Sequence, residues 1–345
     1  MLIIERGTID GADSAFAQTA ALEDGTLLAA FSDAGGQFAT GGTSLSRSRD
    51  GRTWSPRETL LGAIANPRTT NFLKASVSSR TRTVFAYGAR QQQPEDVVFD
   101  DRRYDAILCR SVDDGSTWSP PAPVPFPTHA LEISHGVLAL RSGRLLAPAA
   151  TIEEGRLGER VLVAISDDDG LTWARHATAL VDPDGELGFL EQKLTQLNDG
   201  RILATAWAVS LADASDRSNH FAISDDEGET WSTPHSMEIF GQTLSAVQLP
   251  DDRFLLAYNR RYGEQGVVLA LAQLNGLTWE VEQEILGYDP RIQRPARTGE
   301  SLAEEMLDFQ FGFPLLLLRD HESALLTYWS VEAGSCGVRW ASIRI

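Results

Sequence analysis

Three stretches of this chain repeat one octapeptide, Ser-x-Asp-x-Gly-x-Thr-Trp, without a mismatch: Ser111–Trp118, Ser166–Trp173 and Ser224–Trp231. Two degenerate copies keep its end, Asp50-Gly51-Arg52-Thr53-Trp54 and Asn275-Gly276-Leu277-Thr278-Trp279. The five tryptophans fall 48 to 64 residues apart, a spacing that marks an array of supersecondary units. The residue types are those of a turn. Gly supplies positive φ, Ser and Asp side chains bond nearby backbone N–H groups, and the Trp packs beneath the hairpin. The repeated aspartates are therefore structural, whatever the array does.

A second repeat runs between the first. Apolar residues, a turn and a further apolar run appear in Ala20–Phe31 around Asp24-Gly25 and recur around 79–82, Ser142-Gly143, Asp199-Gly200, Asp251-Asp252 and 320–323. Each is a hairpin signal between strands. Six hairpins, five of them followed by a Trp-bearing turn, predict six units of four short strands. That is an all-β, six-bladed β-propeller of four-stranded antiparallel blades, in which radial closure removes the exposed sheet edges. Val338–Ile345 supplies a third strand with no fourth after it, and Leu2–Ile9 is strand-like without a partner nearby. The N-terminal strand is expected to join the last blade and close the ring, making residues 1–345 one domain. Only 299–306 suggests a helical turn or two.

Composition narrows the function. Hydrophobic residues at 42% and charged residues at 23% describe a chain able to build a core. No run of 18 apolar residues occurs, and Met1–Arg6 has no basic segment leading into an apolar one, so a cytoplasmic location is expected. A net charge of −18 disfavours nucleic acid and anionic membranes as partners. Cys109 and Cys336 lack metal-ligand spacing and fall in blades 2 and 6, too far apart to bridge; no metal or organic cofactor is expected. The oligomeric state is left open.

The repeated turns on a six-unit pattern resemble the sialidase (neuraminidase) superfamily, whose turns are called Asp-boxes or BNR repeats. The resemblance covers essentially the whole chain. It implies a retaining glycosidase with a Tyr nucleophile assisted by Glu, an Asp acid/base and three Arg that clamp a substrate carboxylate. Glu191, in Phe189-Leu190-Glu191-Gln192-Lys193 ahead of Asp199-Gly200, matches the family's Glu. Asp33 is the Asp available in the first blade. Arg90, Arg260 and Arg261 are the Arg candidates by blade position, while Ser14–Gln18 lacks the first-blade Arg. Phe313 stands where the Tyr is expected, and Tyr258 lies in another blade.

The ligand site of a propeller lies on its axis, where inner strands begin and second strands end. Inner strands place Gln18, Lys74, His135, Glu191, Lys193 and Gln310 there; second-strand ends add Asp33, Arg90, Trp207, Tyr258, Arg260 and Arg261. The chain has 28 Arg and only two Lys, and both Lys fall on predicted inner strands. An ammonium on a flexible stem does different chemistry from a guanidinium. Period-two alternation puts Glu191 and Lys193 on one strand face, where Lys193 would hold Glu191 ionised. His135, beside Gly136, is a candidate neutral base. Insertions at 89–104 and 288–307 are expected to overhang the mouth or contact another subunit.

The expectation is a sialidase-like glycoside hydrolase for a small carbohydrate bearing an acidic or deoxy sugar. Glu191 is the principal carboxylate with Asp33 or His135 as partner. Lys74, Arg90, Lys193, Trp207, Tyr258, Arg260, Arg261 and Gln310 would bind the substrate. Two alternatives stand beside it: a lyase using His135 or Tyr258, and a non-catalytic propeller that binds a glycan or protein.

Overall fold

The computed structural model describes residues 1–66, 68–92, 103–294 and 309–345. Among the described residues, six antiparallel blade sheets follow one another along the chain, each stepping outward from an inner strand to a fourth, outer one, and Gly263–Glu264 pairs with Gln293–Arg294 in a small two-stranded sheet beside them. The inner strands are Ser14–Ala21, Arg68–Val77, the pair of short pieces Leu131–Glu132 and Leu138–Ala139, Leu187–Gln196, Gln242–Gln248 and Phe311–Leu318. Apart from the single 3-10 turn Gly36–Phe38, no helix occurs among the described residues. The helical turn expected at 299–306 lies outside them, as do most of the two mouth insertions.

The sixth blade is built from both chain ends. Leu2–Asp10 pairs antiparallel with Ser335–Arg344, from Leu2 opposite Arg344 to Asp10 opposite Val338, so the first strand completes the last sheet. Cys109 and Cys336 are free thiols.

The apolar core lies between blades. Val161, Val163 and Ile165 of blade 3 pack with Phe189, Leu190 and Ile202 of blade 4, and Phe254 and Val268 of blade 5 pack with Leu203 and Phe221 of blade 4. Strands buried on both faces read as near-continuous apolar runs, which is why Phe254–Ala257 and Leu315–Leu318 lack clean alternation. The repeat tryptophans do not simply sit under their own hairpins. Trp173 packs into the blade 2–3 core, Trp231 against blade 3–4, and Trp279 into blade 4–5. Each wedges its blade against the preceding one, where an indole buries more apolar surface.

The repeated turns close as their residue types require. Ser166 Oγ donates to Asp168 at 2.8 Å and accepts from the Gly170 N–H at 3.0 Å, while Thr172 donates its N–H and hydroxyl to Asp168 at 2.8 and 2.6 Å. The same bonds recur at Ser111–Thr117 and Ser224–Thr230. These donors hold the Asp113 carboxyl down at about 2. The turns lie at the opposite end of the strands from the inner-strand starts, so none of these aspartates reaches the axial mouth.

Two local features shape the mouth. The inner strands of blades 1, 4, 5 and 6 each slip register at one place, between Ala15 and Gln18, Leu190 and Lys193, Gln242 and Ser245, and Gly312 and Leu315. At each slip one non-glycine residue has φ near +55°: Phe16 at 56°, Glu191 at 53°, Thr243 at 55° and Phe313 at 55°. These are β-bulges, which re-aim a side chain at the cost of backbone strain. Blade 3 departs from expectation differently. Its inner strand is interrupted over 133–137, and the carbonyls and N–H groups released there are taken up by side chains from other blades.

Candidate active site

Those side chains define the axis. Lys74 Nζ donates to the Ile133 carbonyl at 2.7 Å and Lys193 Nζ to the next carbonyl, that of Ser134. Gln18 Oε1 accepts from the Gly136 N–H at 3.0 Å. Blades 1, 2 and 4 thus hold the broken strand of blade 3. Both ammonium groups also lie over aromatic faces, Lys193 4.1 Å from the Phe313 centroid and Lys74 4.2 Å from that of Phe72. Burial in these surroundings pulls Lys74 down to about 7 and Lys193 to about 8, against the attraction of Glu132 and, for Lys193, of Glu191.

Glu191 and Glu132 meet above them. The bulge turns the Glu191 backbone N–H onto Glu132 Oε2 at 3.0 Å, and the Ser134 hydroxyl donates to Glu132 Oε1. The Glu191 carboxylate faces blade 5, where it accepts from the Thr243 hydroxyl, itself contacted by Asn259 Nδ2 at 3.4 Å. Burial raises the Glu191 carboxyl above its usual range and the Glu132 charge adds to this; Thr243, Lys193 and Arg261 oppose it without reversing it.

The expected Glu191–Lys193 couple is therefore corrected. The bulge between them breaks period-two alternation, so Glu191 points to blade 5 and Lys193 to blade 3; Lys193 still favours the ionised form of Glu191, but burial outweighs it. His135 is corrected too. Burial, with Lys193 and Lys74 beside it, lowers its imidazole to about 3, leaving too weak a base for proton abstraction at neutral pH.

Of the three arginine candidates, Arg261 is near enough to act on the Glu191 carboxyl. Its guanidinium donates to Gln242 Oε1 at 3.1 Å and the Phe311 carbonyl at 2.7 Å, and stacks 3.8 Å from the Phe309 centroid. Arg260 instead pairs with Glu264 and Glu284 on the outer side of blade 5. Tyr258 gives its hydroxyl to Glu284 and packs in the blade 4–5 core, so it cannot replace an axial tyrosine. Trp207 is likewise a core residue, donating to Asp216 at 3.1 Å. Asp33 accepts from the Gly42 N–H at 2.8 Å and the Ser44 hydroxyl at 2.5 Å. Both its oxygens serve its own hairpin in blade 1. Arg90 stands near the Cys109 thiol within blade 2, and Gln310 takes the Val331 N–H on its backbone carbonyl at 2.8 Å.

Two site residues escaped the sequence reading, Glu132 and Thr243, while Phe313 was noted only as standing in the expected Tyr's place. Phe16 packs edge-on to Phe313 at 5.4 Å and to Trp329 at 6.2 Å. Glu132 was legible only as a lone acid inside Leu131-Glu132-Ile133. Among the described residues no group of three or more His, Cys, Asp or Glu side chains is placed to hold a metal.

A six-bladed, sialidase-like propeller with two axial carboxylates over an aromatic wall is what the fold and this site define. The family model for the BNR repeat-like domain matches residues 25–321, and the chain belongs to that family. The fold resembles a protein of unknown function from Dyadobacter fermentans DSM 18053 (TM-score 0.76, 20% identity, covering 100% of this chain and 99% of that one). It also resembles the NanB sialidase of Streptococcus pneumoniae (0.70, 14%, covering 100% and 70%). The α-L-arabinofuranosidase Arb93A of Fusarium graminearum, solved with an iminosugar inhibitor, is similar over 99% of this chain and 98% of its own (0.70, 12%). No curated protein matches the sequence.

Proposed function

We propose that this protein is a glycoside hydrolase that removes a neutral sugar, of the arabinofuranoside class, from a small oligosaccharide at the axial mouth. The observation that carries the reading is the Glu132–Glu191 pair. Two carboxyl groups from adjacent blades meet on the axis in unlike environments, and glycoside hydrolysis asks for two carboxyl groups with divided roles. Glu191, raised by burial and by Glu132, holds the proton that the leaving-group oxygen needs. Glu132, accepting hydrogen bonds on both oxygens, supplies the negative charge facing the oxocarbenium-like carbon. Phe16, partly exposed, offers an apolar surface for a sugar ring to lie against.

The acidic-sugar reading loses support because the arginine candidates do not converge. Arg260 is paired at the rim, and Arg261 is committed to Gln242 and Phe311. The similarity to an arabinofuranosidase along nearly its whole length favours the same preference.

Release of nitrophenol from the α-L-arabinofuranoside, against a sialoside as comparison, tests this. Glu191→Gln and Glu132→Gln should each lower kcat/KM by about 10²–10⁴-fold while the far-UV circular dichroism stays unchanged. Turnover of the sialoside alone would reject the neutral-sugar assignment. Failure to hydrolyse any aryl glycoside would favour a binding propeller.

A further inference from the structure

Below the carboxylates, toward the Asp-Gly turns, the axis holds a cavity of about 300 Å³ to which all six blades contribute. Its head is lined by Gln18, His135, Lys193 and Ser245, and its lower wall by strand-end residues such as Ser76 and Thr195. Lys193 lines this head and Lys74 lies next to it: they donate to consecutive carbonyls, of Ser134 and Ile133, and lie 4.1 and 5.6 Å from the same Phe313 ring. An ammonium group has more N–H donors than these bonds use. Lys193 makes one hydrogen bond, and Lys74 makes that to Ile133 and a longer one to Phe72 at 3.4 Å. His135 lies beside both, and its Nδ1 is buried with no partner among the described residues.

We propose that Lys74, Lys193 and His135 form a binding site for a small monovalent anion, a free halide entering from the turn side of the propeller. Buried donors left unused are costly, and an anion supplies the acceptor they lack. The charge balance points the same way. Lys74, Lys193 and Arg261 lie near the two carboxyl groups of Glu132 and Glu191, so basic groups outnumber acidic ones at this point of the axis. A bound anion would offset the burial that pulls both lysines down. A buried site among apolar side chains favours a weakly hydrated halide over sulfate or phosphate, whose dehydration costs more. Entry from the mouth would carry an anion past Glu132 and Glu191, whereas the cavity wall carries no carboxylate.

Crystals grown without halide and soaked in sodium bromide test the site directly. An anomalous bromine peak within hydrogen-bond reach of Lys193 Nζ and Lys74 Nζ is the expected result; bromide peaks confined to the outer surface would overturn it. In solution, the melting temperature should rise and saturate with sodium chloride relative to sodium gluconate at equal ionic strength. Lys193→Met should lose that increment and Lys193→Arg keep part of it. An equal chloride increment in Lys193→Met would also overturn the site. Should Lys193→Met fail to fold, the bromide diffraction decides alone. Neither readout involves turnover, so this site stands or falls independently of the glycosidase reading.

Discussion

Burial raises the proton affinity of Glu191, and residues far from it in the chain tune it. Thr243 comes from the next blade and Glu132 from the preceding one, and they act on it with opposite sign. The hydroxyl of Thr243 stabilises the ionised form by donating to it, so its loss raises the Glu191 pKa further. In a reaction that needs protonated Glu191, activity falls as pH rises through that pKa. Thr243→Val is therefore expected to move the alkaline limb of the kcat/KM profile to higher pH, whereas a purely structural role would lower the profile without moving the limb. The turn aspartates show how the same residue type can be spent differently. Asp113 and its counterparts accept from Ser and Thr at every copy, and the octapeptide displays all the partners within eight residues. Glu132 has only Ser134 beside it as a local partner, and the other groups that give it meaning lie in blades 2 and 4.

Elements were legible wherever local chemistry sets them. Asp-Gly turns, the octapeptides and the apolar runs mark strand ends, and all six hairpins form where those signals fall. The inner-strand bulges were not legible. Positive φ is ordinarily announced by Gly or Asn, but here Phe16, Glu191, Thr243 and Phe313 adopt it under tertiary constraint. Blade 3 was misread for a related reason: nothing within Ile133–Val137 shows that Lys74, Lys193 and Gln18 will take over its backbone groups. Close approach between blades is set just as tightly. A Cβ built on Gly188 would stand 2.0 Å from the Leu157 carbonyl oxygen, at the contact between blades 3 and 4. Gly188→Ala should lower stability by about 1–3 kcal/mol or more, seen as a lower urea midpoint with an unchanged m-value.

Across the whole molecule, arginine stitches the turn face together, which explains its excess over lysine. Arg47 of blade 1 donates to the Asp114 and Gly115 carbonyls at 2.8 and 2.7 Å in the turn of blade 2. Arg110 of blade 2 pairs with Asp169 at 2.7 Å in the turn of blade 3, and Arg144 of blade 3 reaches Glu229 at 3.0 Å in that of blade 4. A planar fork with several donors suits carbonyls and carboxylates across a seam better than a point charge does. The ring itself depends on the joint between Leu2–Asp10 and Ser335–Arg344. Removing residues 1–10 would bare Trp340, now 2% exposed, and leave an unpaired strand edge. The melting temperature is expected to fall by roughly 10 °C or more, from a loss on the order of 5 kcal/mol, with aggregation on heating; scanning calorimetry of the shortened chain measures it.

The amino-acid sequence by itself determined the blade count and the turn positions, because each rests on residues within a hairpin's length of one another, and the closure of the ring, because a last unit one strand short leaves the unpaired N-terminal strand to complete it. It also placed Glu191 and both lysines on inner strands. Only the tertiary structure decided what they do there. Bulges re-aimed Glu191 away from Lys193, packing against blade 3 set Glu132 beside it, and burial shifted the proton affinities of Glu191, His135 and the lysines. Those effects depend on distances between blades, and contacts between residues about 60 positions apart in the chain leave no periodic trace for a sequence reading to follow.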